Sequence, residues 1–298
     1  MNKKLAKIID GKHHSKKLLI KVTQLAENFF NLCQRKPCIT VIIVGDDPAS
    51  KIYVKNKIKT ARESLIKSTE IVLPKDVTEQ KLLSEIERLN VDQNIDGILV
   101  QLPLPKHIRE NKVIEAISPL KDVDGFHPYN FGNLTLGNHS VVPCTPLGAL
   151  YLIKKEIKNL NGKSAVIIGR SNIVGKPMSA LLLKENCTVT IAHSKTKKLS
   201  DITKKADILI AAIGKAEFIN KKHIKPNSLI IDVGINRITN KEKSKIVGDV
   251  MFKDAFKIAS KITPVPGGVG PMTIACLMYN TVKLSFLRQK LKFEEKLF

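Results

Sequence analysis

The segment SAVIIGRSNIVGKP, residues 164–177, contains the strongest indication of the fold. It reads as a buried β-strand, a glycine-containing turn and the start of a helix, the arrangement in which a pyrophosphate rests on a helix N-terminus. Gly169 opens the turn, but Ser171 replaces the second glycine of the GxGxxG pattern and the closing Gly175 comes one position late. A tight structural turn also uses glycine, so this segment alone predicts either a dinucleotide site or a turn.

Short apolar runs alternate with helical patterns on both sides of this segment, which is typical of a parallel sheet flanked by helices. Strands are predicted at residues 38–44, 68–73, 97–100, 164–168, 188–192, 207–212 and 229–233. Helices are predicted at residues 18–33, 50–64, 78–89, 107–117, 147–157, 178–184 and 272–287. We therefore expect an α/β protein with two lobes and a cleft between them.

Two domains are expected from the 298 residues. Residues 1–146 together with 271–298 are predicted to form an N-terminal α/β domain. Residues 147–270 are predicted to form a Rossmann-like domain. The chain is expected to pass between the two domains through helices at residues 147–157 and 272–287.

Composition narrows the class of protein. Hydrophobic residues at 43% and charged residues at 26% are typical of a folded globular chain. The five cysteines are odd in number and form no CxxC pair, which argues against a disulfide framework or a structural zinc site, and no metal is expected. No apolar run approaches the length of a membrane span or a signal peptide. A cytoplasmic protein without a membrane interaction is therefore expected.

The net charge of +23 favours anionic partners. Nucleic acid is one such partner, but the lysines are spread along the whole chain. Aromatic residues are only 5%, with no tryptophan, so surfaces on which bases could stack are few. We expect no nucleic-acid binding and interpret most of these lysines as solvated surface residues.

The strand at residues 188–192 bears on the choice of nucleotide. A cofactor without a 2′-phosphate is usually bound there by an acidic residue, and this strand ends in Ala192-His193-Ser194-Lys195. Arg170 and Ser194 supply donors suited to an additional phosphate. The sequence therefore predicts NADP in preference to NAD.

The first half contains a second candidate site. On the helix at residues 50–64, Tyr53 and Lys57 lie about 40° apart and share a face, whereas Lys51, Lys55 and Lys59 point mostly elsewhere. A lysine facing a cleft would have a lowered pKa, suited to proton transfer, although an exposed helix lysine is the simpler alternative.

Polar residues follow the strand at residues 97–100. Gln101 stands directly after it, where open α/β sheets bind their ligands. Asp122 and Asp124 occupy a polar turn. Either aspartate is a candidate for function or for hydrogen bonding to its own turn.

Five motifs in register resemble the bifunctional methylenetetrahydrofolate dehydrogenase/cyclohydrolase family. They are YVKNK (53–57), VQLPLP (100–105), KDVDGFHP (121–128), GRSNIVGKP (169–177) and PVPGGVGPMT (264–273). The resemblance extends from Ile9-Asp10-Gly11 to the final helix. It implies NADP-dependent oxidation of 5,10-methylenetetrahydrofolate, then hydrolysis of the methenyl product to 10-formyltetrahydrofolate, as part of one-carbon metabolism and purine biosynthesis.

The resemblance also implies roles for individual residues. The N-terminal domain would bind folate, with Lys57 as the central catalytic group, Gln101 holding it, Tyr53 stacking on the folate rings and Asp124 fixing the pterin. Residues implied to contact substrate are Val100, Leu102, Gly267, Gly268 and Pro271, in addition to Tyr53, Gln101 and Asp124. Residues implied to contact NADP are Gly169, Arg170, Ser171, Ser194 and Ile235. A homodimer through the nucleotide-binding domains is also implied.

Three alternatives remain at this point. The first is a relative with only the dehydrogenase or only the cyclohydrolase activity. The second is another two-lobed NADP-dependent dehydrogenase, which would have no affinity for folate. The third is a nucleic-acid-binding protein, which only the net charge suggests.

Overall fold

Two compact units make up the chain in the computed structural model, which describes residues 5–138, 141–240, 243–293 and 297. The three-stranded unit contains the described residues of 16–144 and 274–296. The six-stranded unit contains those of 1–15, 145–273 and 297–298. Each unit is named after its main sheet.

The helices and strands alternate along most of the chain. The strands are β1 (Lys7–Ile8), β2 (Cys38–Val44), β3 (Lys67–Leu73), β4 (Gly97–Val100), β5 (Ser164–Ile168), β6 (Thr188–Ala192), β7 (Ile208–Ala211), β8 (Leu229–Asp232), β9 (Asn236–Asn240), β10 (Lys243–Val247) and β11 (Lys261–Ile262). The helices are α1 (Gly11–Cys33), α2 (Pro48–Glu63), α3 (Glu79–Val91), α4 (Glu110–Ala116), α5 (Pro128–Thr135), α6 (Cys144–Glu156), α7 (Gly175–Lys184), α8 (Leu199–Thr203), α9 (Phe252–Ala255) and α10 (Val269–Arg288). A 3₁₀ helix covers Lys221–His223.

The sheet of the three-stranded unit has the order β3-β2-β4, and both of its strand pairs are parallel. Every residue of β2 is buried, as expected for a central strand covered on both faces. Leu82, Ile86 and Leu89 of α3 pack with Ile42 and Ile98 in one apolar cluster. The pairing of β2 with β4 places Ile42 opposite Val100 near the carboxyl ends of the two strands.

Helix α2 begins at a strong start signal. The carboxylate of Asp47 accepts a hydrogen bond from the backbone N–H of Ser50 at 2.7 Å, and Pro48 occupies the first helical position. Val54 and Lys57 are buried on the inner face of the helix. The three lysines predicted to point into solvent, Lys51, Lys55 and Lys59, are all exposed.

The six-stranded unit contains a parallel sheet of order β1-β11-β8-β7-β5-β6. Its apolar strands β5, β7 and β8 are almost wholly buried. The strand order reverses at β5, which pairs with β6 on one side and with β7 on the other. This reversal is the position at which open α/β sheets bind ligands, next to the carboxyl ends of the strands.

The first residues of the chain belong to the six-stranded sheet. Lys7 and Ile8 pair in parallel with Lys261 and Ile262 of β11. Glu156 forms ion pairs with Lys7 at 2.9 Å and with Lys261 at 3.0 Å. This pairing places the first residues of the chain in the six-stranded unit and not in the domain predicted at residues 1–146. The two strands are each two residues long, which is too short to give a recognisable sequence pattern. The functional domain limits otherwise remain a prediction.

Other differences from the sequence-based expectations are local. Helix α6 begins at Cys144, three residues before the predicted start, and the hydroxyl of Thr145 in its first turn pairs with that of Thr273 at 3.1 Å. The hairpin of β9 and β10 was not predicted. Among the described residues, no helix has the length and apolar character needed to cross a membrane.

Candidate active site

A buried lysine lies at the centre of the candidate site in the three-stranded unit. Lys57 is only 6% exposed, and its Nζ donates a hydrogen bond to Oε1 of Gln101 at 3.0 Å. The ring centroid of Tyr53, one turn earlier on α2, lies 4.7 Å from the same Nζ. The structure therefore brings together three of the residues selected from the sequence.

Gln101 is held in a defined orientation after β4. Its backbone N–H donates to the carbonyl of Ile42 at 2.9 Å, which extends the pairing of the sheet by one residue. Its side-chain Nε2 donates to the carbonyl of Leu102 at 2.6 Å. Because the amide nitrogen is satisfied in this way, the amide oxygen is the atom presented to Lys57.

Burial lowers the pKa of Lys57, since desolvation disfavours the charged ammonium. The negative charge of Asp124 acts in the opposite direction. The face of Tyr53 also favours the cation. A lysine whose ammonium is destabilised by burial in this way is suited to exchange a proton with a bound substrate.

The structure separates the roles of the two aspartates that the sequence left open. Asp122 is 3% exposed, and its carboxylate accepts hydrogen bonds from the backbone N–H groups of Gly125 and His127, both at 2.9 Å. Asn130 donates to the same carboxylate at 2.9 Å. Asp122 therefore holds the turn that carries Asp124.

Asp124 has a different environment. Among the described residues, none donates a hydrogen bond to its half-buried carboxylate. Burial raises the pKa of Asp124 to about 6, with Lys57 lowering it and Asp122 raising it. Burial likewise raises the pKa of Tyr53. An apolar pocket lined by Val100, Leu102 and Phe126 adjoins Asp124.

Asn280 is a supporting residue that the sequence analysis missed. It is 1% exposed on α10, and its Nδ2 donates to the carbonyls of Val123 and Val142, both at 2.9 Å. These bonds hold both segments that flank the turn bearing Asp124. The sequence did offer one signal, because Asn280 is a polar residue within the mostly apolar run at residues 275–284.

The glycine turn of the six-stranded unit fits a dinucleotide. A Cβ on Gly169, whose φ is +134°, would lie 2.2 Å from the carbonyl oxygen of Ala212, and one on Gly175 would lie 2.2 Å from that of Gly169. Both positions therefore require glycine. Within the described part of the chain, the backbone N–H groups of residues 170–173 donate to no acceptor. Such free N–H groups before a helix are suited to a pyrophosphate.

Ser171 has a structural role in this turn. Its hydroxyl accepts from the backbone N–H groups of Val174 at 3.1 Å and Gly175 at 3.4 Å. Arg170 and Ser194 are exposed, and the side chain of Arg170 is free of ion pairs with any residue that the structure describes. Ile235, directly before β9, is 64% exposed. These positions leave all four residues accessible to a ligand.

The glycines near the end of the chain lie in the six-stranded unit, as does Pro271. A Cβ on Gly268 would lie 2.5 Å from the carbonyl oxygen of Pro264, and the backbone N–H of Lys12 donates to the carbonyl of Gly267 at 3.2 Å. Close backbone packing thus explains Gly268 without a ligand. The substrate contacts expected of Gly267, Gly268 and Pro271 remain predictions.

Comparison with known families assigns both halves of the chain. Residues 9–124 match the tetrahydrofolate dehydrogenase/cyclohydrolase catalytic domain, and residues 143–289 match the NAD(P)-binding domain of the same family. The chain belongs to the tetrahydrofolate dehydrogenase/cyclohydrolase family. The membership confirms the predicted α/β class, the enzyme class and a nicotinamide dinucleotide as cofactor.

Individual family members are similar over nearly the whole chain. The bifunctional protein FolD of Acetivibrio thermocellus is 53% identical over 291 residues, which cover 96% of this chain and 99% of that protein. The crystal structure of the bifunctional FolD enzyme of Campylobacter jejuni has a TM-score of 0.91 at 47% identity and covers 95% of this chain and 99% of its own.

A third family member was solved with its cofactor. The Trypanosoma brucei dehydrogenase-cyclohydrolase, complexed with NADP and an inhibitor, has a TM-score of 0.92 at 35% identity and covers 96% of this chain and 99% of its own. This similarity supports NADP as the cofactor. Family membership also decides against an unrelated two-lobed dehydrogenase.

Proposed function

We propose that this chain oxidises 5,10-methylenetetrahydrofolate to the methenyl form with NADP and hydrolyses that product to 10-formyltetrahydrofolate. The hydrogen bond between buried Lys57 and Gln101 carries the proposal, in a chain that matches both family domains. The oxidative step needs a nucleotide site, and the hydrolytic step needs a proton-transfer group. The six-stranded unit supplies the first and the three-stranded unit supplies the second.

The oxidation depends mainly on positioning. When bound, NADP supplies the acceptor for the hydride that leaves the methylene carbon. The lone pair of the adjacent folate nitrogen drives this departure, so the step requires no strong base. The free N–H groups of residues 170–173 and the N-terminus of α7 would hold the phosphates of the nucleotide.

The hydrolysis requires two proton transfers, which Lys57 would perform. Its neutral Nζ accepts a proton from the water that adds to the methenyl carbon. The same Nζ then donates this proton to the ring nitrogen as the carbon–nitrogen bond breaks, and the remaining hydroxyl proton is released to solvent as the formyl C=O forms. Gln101 keeps Nζ in place, and burial of Lys57 lowers its pKa and so favours the neutral amine.

The remaining folate contacts follow from the environment of the site. The carboxylate of Asp124 is available to accept hydrogen bonds from the amino group and ring N–H of a pterin. The ring of Tyr53 provides a face for stacking. We assign Val100 and Leu102 to the same substrate site because they flank Gln101, whose side chain bonds to Lys57.

A preference for NADP over NAD is the second part of the proposal. The turn after β6 contains Ser194 and Lys195 and no carboxylate. Arg170 is exposed at the glycine turn and available to bind a phosphate in two-pronged geometry. Arg170→Ala should raise the KM for NADP at least about tenfold and change the KM for NAD less than about twofold.

Assembly is the third part. We assign the homodimer interface to the nucleotide-binding unit, where β6 is an edge strand of the described sheet and Ile191 is 37% exposed. Light scattering should give twice the chain mass for the wild type and one chain mass for Ile191→Lys. A monomeric wild type would exclude the dimer.

The last part of the proposal concerns the cellular compartment of the enzyme and the pathway that consumes its product. All five cysteines are free thiols, which suits a reducing cytoplasm. The product, 10-formyltetrahydrofolate, carries a one-carbon unit at the oxidation level of formate. This is the form of the unit that purine biosynthesis consumes, so we place the enzyme before that pathway.

One assay tests the two reactions together. Purified protein is mixed with 5,10-methylenetetrahydrofolate and NADP, and the absorbances of NADPH and of the methenyl product are followed. NADPH formation without lasting methenyl accumulation is expected. NADPH formation with stoichiometric methenyl accumulation would restrict the enzyme to the dehydrogenase step, and no NADPH would contradict the proposal.

A further inference from the structure

The turn at residues 212–215 follows β7 and lies next to the glycine turn after β5. A Cβ on Gly169 would overlap the carbonyl oxygen of Ala212, which shows how closely the two turns approach. Strands β5 and β7 are hydrogen bonded neighbours, and the order of the sheet reverses at β5. The turn is therefore at the edge of the sheet where a ligand is expected.

A buried carboxylate holds this turn from behind. Asp249 is 0% exposed, and its Oδ2 accepts from the backbone N–H groups of Ile213 at 2.6 Å and Gly214 at 3.0 Å. Its Oδ1 accepts from the N–H of Lys215 at 3.0 Å and from Nδ2 of Asn236 at 2.9 Å. No basic side chain among the described residues pairs with Asp249. Backbone donors thus stabilise the charge.

These bonds determine which way the peptide groups of the turn face. The peptide bonds at residues 212–215 are trans, and in a trans peptide the C=O points opposite to the following N–H. The carbonyls of Ile213 and Gly214 therefore point away from Asp249. Neither of them accepts a hydrogen bond from any described residue. The N–H groups of the turn are thus all occupied, whereas the carbonyls of Ile213 and Gly214 are available as acceptors.

A second buried carboxylate fixes Asp249 itself. Asp232 accepts from the backbone N–H of Asp249 at 3.0 Å and from that of Val250 at 2.9 Å. A Cβ on Gly248 would lie 1.8 Å from Oδ2 of Asp232, and one on Gly234 would lie 2.2 Å from Oδ1 of Asp249. Because both carboxylates are closely packed, the turn has little freedom to reorient.

The order of the strands indicates which part of a dinucleotide reaches this turn. Under the proposed function, the adenosine end lies at β6 with Ser194, and the pyrophosphate lies at the glycine turn after β5. A nucleotide that continues in the same direction reaches β7 with its nicotinamide half. That half carries hydroxyl and carboxamide donors, which match carbonyl acceptors.

We propose that Asp249 is a positioning residue for the nucleotide site. By taking up the N–H groups of residues 213–215, it presents the carbonyls of Ile213 and Gly214 to donors on the nicotinamide half of NADP. This inference rests on the proposed function. It assigns to Asp249 an effect on one half of the cofactor, transmitted through the turn.

The test compares two nucleotides in one variant. Asp249→Asn removes acceptor capacity for two of the four hydrogen bonds with little change of volume. Dissociation constants are measured by calorimetry for NADP and for adenosine 2′,5′-bisphosphate, which lacks the nicotinamide half. NADP binding should weaken about tenfold, and bisphosphate binding should change less than about twofold. Equal losses for both nucleotides, or no loss for NADP, would overturn the proposal.

A matched variant and a measurement on the wild type complete the experiment. Asp201→Asn changes an exposed carboxylate on α8 in the same unit and should leave both dissociation constants unchanged. If Asp249→Asn does not fold, amide resonances of the wild type decide. NADP should shift those of residues 213–215, whereas the bisphosphate should not. Equal shifts with both nucleotides would contradict the assignment.

The outcomes separate this inference from the proposed function. Wild-type protein that neither binds NADP nor produces NADPH would contradict the proposed function. Wild-type protein that does both, with Asp249→Asn equally impaired toward the two nucleotides, would contradict only the role of Asp249.

Discussion

Nζ of Lys57 donates to Oε1 of Gln101 at 3.0 Å, so a buried lysine is hydrogen bonded to a neutral amide and not to a carboxylate. A carboxylate partner would stabilise the ammonium and raise the pKa of Lys57. An amide partner holds the nitrogen without a negative charge that would favour the ammonium, so burial can lower the pKa of Lys57. The pair thus combines a fixed position with a readily exchanged proton.

Removing the amine should affect the two reactions unequally. Lys57→Met should slow hydrolysis of methenyltetrahydrofolate by roughly 10²–10⁴-fold, because the group that transfers protons is lost. The loss in NADPH formation should be smaller, since hydride departure needs no base. Lys55→Met, an exposed lysine on the same helix, is the control and should retain both rates. Hydrolysis within tenfold of wild type would remove Lys57 from the mechanism.

Changing the partner of Lys57 should move the pH profile. Gln101→Glu places a negative charge beside Nζ, which should raise the pKa of Lys57. The hydrolysis rate should therefore require a correspondingly higher pH. The measurement is kcat for methenyltetrahydrofolate hydrolysis against pH, with Gln80→Glu on the exposed surface of α3 as control. An unshifted profile would argue that Lys57 does not titrate in the reaction.

Buried Asp232 should make stability depend on pH in a defined direction. Burial raises the pKa of Asp232 to about 7 from a usual value of 3.8, so the folded state binds the additional proton between these values. The contribution of this group to the unfolding free energy is present at low pH and is lost as the pH rises from about 4 to 7. Asp232→Asn lacks this dependence.

Denaturant unfolding at pH 5 and pH 7 measures the effect. Between these pH values, the unfolding free energy of the wild type should fall relative to that of Asp232→Asn by about 2 kcal/mol. Asp201→Asn should follow the wild type at both pH values. A constant difference between wild type and Asp232→Asn would show that Asp232 does not titrate in this range.

Lys121 should stabilise the end of α3. It is 2% exposed, and its Nζ donates to the carbonyls of Leu89 at 2.7 Å and Asp92 at 2.6 Å. Lys121→Met leaves the carbonyl of Leu89 unpaired and removes one of the two donors to the carbonyl of Asp92, so it should lower the unfolding free energy by about 1–3 kcal/mol. Lys106→Met, which is exposed, should change it by less than about 0.5 kcal/mol.

The pH dependence of the same variant gives an independent measurement. Burial lowers the pKa of Lys121 to about 8, so the unfolded state binds more protons above that pH. The wild type should therefore gain stability relative to Lys121→Met as the pH rises from 8 to 10. A difference that stays constant or shrinks would contradict the lowered pKa.

The strands were predicted more accurately than the helix starts. The bounds at residues 38–44, 97–100, 164–168 and 188–192 agree with β2, β4, β5 and β6. Continuous apolar runs mark the buried strands β2, β4 and β5, whereas the largely exposed edge strand β6 is marked by β-branched residues. Helix α1 begins seven residues before the predicted start. Asp10 accepts from the N–H of His13 at 3.0 Å, and this capping signal preceded the apolar pattern.

The candidate site was predicted in part. The shared face of Tyr53 and Lys57 followed from helical spacing, and the position of Gln101 followed from the strand end. The different roles of Asp122 and Asp124 did not follow, because both occupy one turn and only the donors around each distinguish them. Asp232 and Asp249 were missed because nearly all of their partners are backbone N–H groups, which no residue pattern identifies.

The bonds from Asn280 have a consequence for synthesis on the ribosome. The segments flanking Asp124, held at Val123 and Val142, are translated well before α10 emerges from the exit tunnel. A nascent chain released before residue 280 would lack this clamp, however well its central strands had already collapsed. Competence for catalysis would thus arise only after α10 has left the tunnel and Asn280 has bonded to both segments.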